Sequence, residues 1–92
     1  MDYPTQHSFR EWLLGMEPEH HCGWPRRAQH CPLANHWRAL GAENPVVSAA
    51  GWRPRLDVTT CPPVWAAQFV RRVDTLDPRE PVTAACALAL LE

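Results

Sequence analysis

Proline placement constrains this chain more than any other feature. Ten of its 92 residues are proline, which lacks an amide hydrogen and moves the residue before it out of the helical region. The elements that the chain can form are therefore bounded by Pro18, Pro32, Pro54 and Pro78. A compact domain usually needs about 100 residues, so these short elements have to share one core. The sequence predicts a single domain over residues 1–92.

The first two helices are predicted from their caps and their apolar period. Ser8 and Glu11 have the spacing of a capping box, and residues 1–7 before them are expected to form an N-terminal tail. The apolar face of this helix consists of Phe9, Trp12, Leu13 and Met16. A second helix is predicted to begin with Pro32 at its first position and to stop at Gly41.

Two further helices are predicted in the second half of the chain. The third begins after Cys61-Pro62-Pro63, and its buried side consists of Trp65, Ala66, Phe69, Val70, Val73 and Leu76. After a break at residues 77–81, Thr83 is expected to cap a terminal helix over residues 84–91. That helix is apolar on all sides, whereas a surface helix buries a stripe of only about 100° or somewhat more. We therefore expect Leu90 and its neighbours to contact a second copy or another protein, unless the domain encloses the helix.

A small β-hairpin is predicted between the second and third helices. Residues 45–52 and 55–59 are rich in residue types that favour strands, and the turn is expected around residues 51–54. Pro54 restricts where the pairing can continue. Together with the four short helices, this hairpin predicts the α+β class.

Histidine and cysteine are concentrated in and just after residues 17–30, which are predicted to form an irregular loop. Imidazole and thiolate bind transition metals, so one hypothesis is a zinc site whose ligands are His20, Cys22, Cys31 and Cys61, with His30 as a substitute for one of them. The chain has no short Cys-x-x-Cys knuckle, so a polar loop with cysteines that cap helices is the alternative. A Cys31–Cys61 or Cys22–Cys31 disulfide is a third interpretation, which requires an oxidising compartment.

A cysteine-dependent enzyme is a further alternative. Cys31 and Cys61 lie at predicted helix N-termini, where the helix dipole favours the thiolate, and His30 is adjacent to the first of them. Such an enzyme also needs an oriented base, an oxyanion site and a cleft, which a chain this short rarely provides. We therefore expect a protein that is not an enzyme and has no required cofactor.

Arginine supplies all nine basic side chains, and the formal net charge is −1. No global field therefore attracts nucleic acid or an anionic membrane, and charged recognition has to be local. Tryptophan and arginine are enriched at binding hot spots, which points to a contact surface made of Trp24, Arg26, Arg27, Trp52, Arg53 and Arg55. We expect this surface to bind a larger protein. In the alternative, the chain is a small nucleic-acid-binding adaptor, stabilised by zinc, whose tryptophans stack on bases.

The N-terminal residues lack the positive region and the apolar run of a signal peptide. No apolar stretch approaches the roughly 18 residues of a membrane span. We therefore expect a cytoplasmic protein without a membrane partner.

Three segments together resemble a group of uncharacterised small proteins of phages and GC-rich bacteria. These segments are Cys-Pro-Leu-Ala at 31–34, Trp-Ala-Ala-Gln-Phe-Val-Arg-Arg-Val-Asp at 65–74 and Pro-Val-Thr-Ala at 81–84, before a final apolar helix. Cys86 stands where the group has an acidic residue after its capping threonine. The resemblance carries no known activity or catalytic residue. It implies a phage or prophage protein in the host cytoplasm that binds a larger partner, such as an anti-CRISPR-like inhibitor of a host defence complex.

Overall fold

The computed structural model describes residues 3–55 and 58–92, and for residues 58 and 59 only the backbone. Within these ranges four helices and five short strands occur. In chain order they are α1 (Gln6–Leu14), β1 (His21–Gly23), α2 (Pro32–Ala39), β2 (Val46–Val47), β3 (Trp52–Arg55), β4 (Val58–Thr60), α3 (Val64–Val73), β5 (Val82–Thr83) and α4 (Ala84–Leu91). The predicted α+β class with four short helices is confirmed.

Helix α1 begins earlier than predicted, because Thr5 rather than Ser8 is its N-cap. The Thr5 hydroxyl accepts the Ser8 N–H at 3.0 Å, and the Ser8 hydroxyl accepts the Thr5 N–H at 3.0 Å. The capping box therefore joins these two residues, and the predicted pair of Ser8 with Glu11 is wrong. Gln6 and His7, assigned to a tail by the sequence, lie in the first turn of the helix.

The segment before α1 is also packed on the domain. The Tyr3 ring lies 5.1 Å from the ring of Trp37 and 5.8 Å from that of Trp52, measured between centroids. Pro4 is buried. The prediction of a tail is therefore wrong for residues 3–7, and residues 1 and 2 lie outside the described residues.

The caps of α2 and α4 are those expected from the sequence. Pro32 occupies the first position of α2, and the Cys31 thiol accepts the N–H of Ala34 at 3.4 Å. Gly41, just beyond the end of α2, has a φ of 111°, a left-handed conformation that favours glycine. Thr83 caps α4 by accepting the N–H of Cys86 at 3.2 Å.

Helix α3 begins after Pro63, which provides no side-chain cap. Cys61 therefore precedes the helix instead of lying at its N-terminus, and the helix dipole does not act on its thiol as expected. The side of α3 predicted to be buried is confirmed for Ala66, Phe69, Val70 and Val73. Trp65 and Leu76 are partly buried against the same core.

Strands β2, β3 and β4 form an antiparallel sheet with β3 at its centre. The predicted turn at 51–54 is wrong, because Ser48 and Gly51 close the turn instead: the Ser48 hydroxyl donates to the Gly51 carbonyl at 2.9 Å and accepts the Gly51 N–H at 3.1 Å. Pro54 therefore lies inside the central strand, where the register with β4 shifts between Trp52 and Arg55. Residues 56 and 57 of the predicted strand 55–59 lie outside the described residues.

The predicted loop over residues 17–30 contains a strand, β1, which pairs antiparallel with β5. His21 pairs with Thr83, and Gly23 pairs with Val82. The carbonyl of His20 also accepts the N–H of Ala84, at 2.9 Å. The loop therefore ties the start of α4 to residues 20–23.

The core lies where α1, α3 and α4 pack together and α2 closes one side. Its largest fully buried side chains are Trp37, Phe9, Phe69, Leu13 and Leu33. Phe9 and Phe69 meet edge to face at 4.9 Å, an arrangement that the ring quadrupoles favour. Within residues 3–55 and 58–92, no helix has the length and apolar content that a membrane crossing requires.

Candidate partner-binding site

The basic turn at residues 24–28 lies beside the β2–β3 turn. The N–H of Val47 donates to the carbonyl of Ala28 at 2.8 Å, so the basic turn follows the free side of β2. A first cavity of about 180 Å³ is lined by Arg26, Arg27, Ala28, Cys31, Val47, Ser48, Val70 and Asp74. A second, of about 220 Å³, is lined by Val46, Ser48, Gly51, Trp52 and Arg53. Ser48 lines both, so arginines distant in sequence share one continuous surface.

We call Arg26, Arg27, Ser48 and Arg53 the arginine surface. Arg55 is exposed and lies two residues beyond Arg53 on β3. The structure therefore brings Arg26, Arg27 and Arg53 to Ser48, whereas Arg55 lines neither cavity. Ser48 was not expected to take part. Its spacing from Gly51, typical of a serine turn, is the sequence feature that could have revealed it.

Arg26 is held by the end of α3. Its backbone N–H donates to a carboxylate oxygen of Asp74 at 2.9 Å, and its Nε donates to the Asp74 carbonyl at 3.0 Å. This carbonyl lies at the C-terminus of the helix, where the dipole favours a cation. Arg26 has a φ of 58°, a left-handed conformation that costs a non-glycine residue about 1 kcal/mol or more. The contacts with Asp74 hold it there.

Arg27 is positioned by Trp24. Its guanidinium carbon lies 4.7 Å from the centre of the Trp24 ring, which is partly exposed. A cation–π contact at an exposed site contributes about 0.5–1 kcal/mol. The predicted pair of tryptophan and arginine is therefore present here, and it limits the freedom of the Arg27 side chain.

Trp52 is a core residue, contrary to the prediction that it faces a partner. It is 4% exposed, and its ring lies 5.0 Å from that of Trp37 and 6.4 Å from that of Trp65. Its position in the central strand directs the ring into the aromatic core, while Arg53 follows on the other face. Trp52 contributes only a small part of the second cavity wall.

The structure does not bring the four predicted zinc ligands together. Among residues 3–55 and 58–92, no group of three or more His, Cys, Asp or Glu side chains could hold a metal ion. His20 and Cys61 are exposed, as is the substitute His30, whereas Cys22 and Cys31 are buried. The Cys22 thiol donates to the Val82 carbonyl at 3.4 Å, and the Cys31 thiol caps α2. All four cysteines are free thiols, so neither disulfide is formed.

The two buried thiols are poor nucleophiles. Burial raises the pKa of Cys22 to about 12 and that of Cys31 to about 11, from an ordinary value of 9.0. At Cys31, hydrogen bonds from Ala34 and Leu33 oppose this shift but do not cancel it. The expected thiolate at the N-terminus of α2 is therefore not favoured, because desolvation outweighs the helix N-terminus.

Helix α4 is largely enclosed by the domain. Ala84, Ala87 and Leu91 are buried, whereas Leu90 and Leu88 are half-buried against the core. The exposed positions are alanines, Ala85 and Ala89. Arg72 fixes the end of the helix by donating to the Leu90 carbonyl at 2.8 Å. The structure thus agrees with the enclosed alternative for the large side chains, and a contact through Leu90 stays a prediction.

A pair of residues that the sequence did not single out lies between α1 and α2. Ser8 Oγ is 3.1 Å from His36 Nε2, and His36 is 2% exposed. Burial lowers the pKa of His36 from 6.5 to about 4. Its Nδ1 atom has no hydrogen-bond partner in the described part of the chain, so no acid orients the ring as in a catalytic triad.

Comparison with known proteins finds no match that would assign a family or a fold to this chain. The chain matches no protein-family model, no curated protein and no solved structure. The functional argument therefore depends on the side chains described above.

Proposed function

We propose that this protein is a non-enzymatic binding module whose arginine surface recognises an acidic surface of a larger protein. One observation carries the proposal: Ser48 lines two adjacent cavities, of which one contains Arg26 and Arg27 and the other Arg53. Cationic side chains from two distant segments therefore converge on one face of a small domain.

The arginines of this face are ordered before a partner binds. Asp74 holds Arg26, Trp24 supports Arg27, and Arg53 lies on the central strand of the sheet. Association costs about 0.5–1.5 kcal/mol for each flexible side chain that it immobilises, and prior ordering reduces that cost. Arginine also binds carboxylates through two parallel hydrogen bonds. An acidic protein surface is therefore the partner that suits this face.

The resemblance of residues 31–34, 65–74 and 81–84 to small phage and bacterial proteins supports a setting on a mobile element. In that setting the partner is a host assembly such as a defence complex, and the protein acts as its inhibitor in the host cytoplasm. Inhibition by a chain of 92 residues requires only that it covers a functional surface of the larger protein.

The proposal is tested by affinity capture from the native host with four forms of the protein. The wild type is compared with Arg27→Glu and Arg55→Glu, which reverse charges on or beside the arginine surface. Arg71→Glu is the matched control, because Arg71 is exposed on α3 and lines neither cavity. We expect the wild type and Arg71→Glu to capture the same protein, and the other two variants to lose it.

Three results would contradict the proposal. The first is equal capture by all four proteins. The second is binding to DNA or RNA that falls steeply with salt, with no protein captured, which is the behaviour of the nucleic-acid-binding adaptor. The third is turnover of a substrate that is lost in Cys31→Ala, which would indicate a cysteine-dependent enzyme.

A further inference from the structure

We infer that the first cavity binds a carboxylate on a short apolar stem. The inference rests on the proposed function, since it names the chemical group of the partner that enters the arginine surface. A carboxylate of this kind is the side chain of an aspartate or glutamate, or a small free carboxylic acid.

The charges around the cavity suit a monoanion. Arg26 and Arg27 line it together with Asp74, so two positive charges face one negative charge. One net positive charge remains for a ligand. A carboxylate balances it, whereas a phosphate dianion would leave an excess negative charge beside the Asp74 carboxylate, and like charges at short range repel.

The hydrogen bonds around Arg26 leave part of its guanidinium for a ligand. Its Nε is occupied by the Asp74 carbonyl at 3.0 Å, which fixes the plane of the guanidinium. The same residue is fixed at its backbone, where the N–H donates to the Asp74 carboxylate at 2.9 Å. The two Nη atoms of Arg26 make no hydrogen bond to the described residues. A carboxylate can therefore accept hydrogen bonds from Arg26 and Arg27 together, or two parallel hydrogen bonds from one of them.

The floor of the cavity is apolar. Val47 and Val70 are buried beneath it, and the buried side chain of Cys31 completes the wall. Burial raises the pKa of Cys31 to about 11, so this thiol is neutral at pH 7 and adds no negative charge that would repel an anion. A short aliphatic stem can cover this floor, and removing apolar surface from water favours binding. A volume of about 180 Å³ has room for a carboxylate on a short stem.

The test is a titration of the purified, isotope-labelled protein followed through its backbone amide resonances. Butyrate and N-acetylglutamate amide are the two probes, and inorganic phosphate is the dianion for comparison. We expect saturable shifts of the amides of Arg27, Ala28 and Ser48 with at least one carboxylate. Phosphate should bind more weakly.

Three variants make the titration specific. Arg27→Gln should weaken carboxylate binding about tenfold, the change expected when one charge-assisted hydrogen bond is lost. Ala28→Leu, at an exposed position on the cavity rim, should abolish binding by filling the space without changing the charge. Arg71→Gln should bind like the wild type.

Each outcome bears on the inference. Saturation by butyrate indicates that a small free acid can be the source, and saturation by the capped glutamate alone indicates a side chain of a protein partner; each of these results supports a carboxylate site. The inference is wrong if neither probe saturates, if phosphate binds more tightly than both, or if Arg71→Gln weakens binding as much as Arg27→Gln. If neither probe binds but a protein is still captured in an Arg27-dependent way, the carboxylate site is wrong and the proposed function stands. If butyrate binds but no protein is captured, the proposed function is wrong and the carboxylate site stands.

Discussion

His36 Nε2 lies 3.1 Å from Ser8 Oγ, and this contact joins α2 to the N-terminus of α1. The Ser8 hydroxyl is also placed to donate to the Thr5 carbonyl at 3.1 Å. If it does, the Nε2–H of His36 donates to Ser8 Oγ, and the buried Nδ1 is left as an acceptor. The other tautomer would bury an N–H donor without a partner, which is the costlier arrangement. The geometry therefore assigns the proton to Nε2.

Acid should destabilise the protein through His36. Burial lowers its pKa in the folded state from 6.5 to about 4, so between these values the unfolded chain binds the proton and the folded chain does not. The folded state therefore loses stability relative to the unfolded state as the pH falls below 6.5. At pH 4 the free energy of unfolding is lower by about 3 kcal/mol than it is above pH 6.5. Urea unfolding of the wild type and of His36→Leu at pH 7 and pH 4 measures this difference. Equal losses in the two proteins would show that His36 is not the cause.

Gly23→Ala should destabilise the fold strongly. A Cβ at this position would lie 2.4 Å from the nitrogen of Pro32 and 2.7 Å from the carbonyl carbon of Cys31, and backbone atoms at the start of a helix cannot move aside cheaply. We expect a loss of at least about 2 kcal/mol. Gly15→Ala is the control, since its Cβ would meet nothing closer than 3.5 Å. Thermal or urea denaturation of both variants tests the contrast, and similar midpoints for the two would count against it.

The four thiols should differ in their reaction with iodoacetamide at neutral pH. Cys61 is exposed, whereas Cys22 and Cys31 are buried and their pKa values are raised to about 12 and about 11. We expect mass spectrometry to find Cys61 alkylated first. Cys22 and Cys31 should react only after denaturant is added. Early modification of Cys31 in the folded protein would revive the cysteine-dependent enzyme.

The contact of α4 with a second copy is best tested on its exposed side. Ala89→Glu adds a charge at an exposed position, whereas Leu91→Glu places a charge in the core. If the wild type is a dimer through α4, Ala89→Glu should be a folded monomer by analytical ultracentrifugation and circular dichroism. Leu91→Glu should lose helicity, because an unpaired buried charge costs several kcal/mol. A wild type that stays monomeric at high concentration would remove the dimer.

Local patterns predicted the helices better than the strands. Pro32, Gly41 and Thr83 act on residues within one turn of themselves, so their roles follow from their neighbours in the chain. The pairing of β1 with β5 joins segments about 60 residues apart, and no local period in a three-residue strand reveals such a partner. The β2–β3 turn was misplaced because Pro54 suggested an end to pairing, whereas a register shift accommodates it.

The candidate site was predictable in its residue types but not in its geometry. The arginines could be named as candidates because the chain has few clusters of basic residues. Their proximity at Ser48 depends on the hydrogen bond from the Val47 N–H to the Ala28 carbonyl, which no sequence pattern predicts. Trp24 and Trp52 have similar neighbours in sequence, yet the first is partly exposed and the second is buried. Trp52 is buried because its side of β3 meets the aromatic core. Asp74 is not among the residues singled out in the sequence, and only the fold shows that it holds Arg26.

The β1–β5 pair also dictates the order in which the chain can fold during its synthesis. Strand β1 has no ladder partner until residues 82–83 have been made, and α1 makes its most extensive helix contact with α4. The apolar faces of α1 and α3 are therefore only partly covered on the nascent chain until residues 84–91 have been made. Such late closure favours slow folding and transient association with chaperones. A nascent chain stalled before residue 82 should thus be sensitive to protease, even though α1, α2 and α3 have already been made.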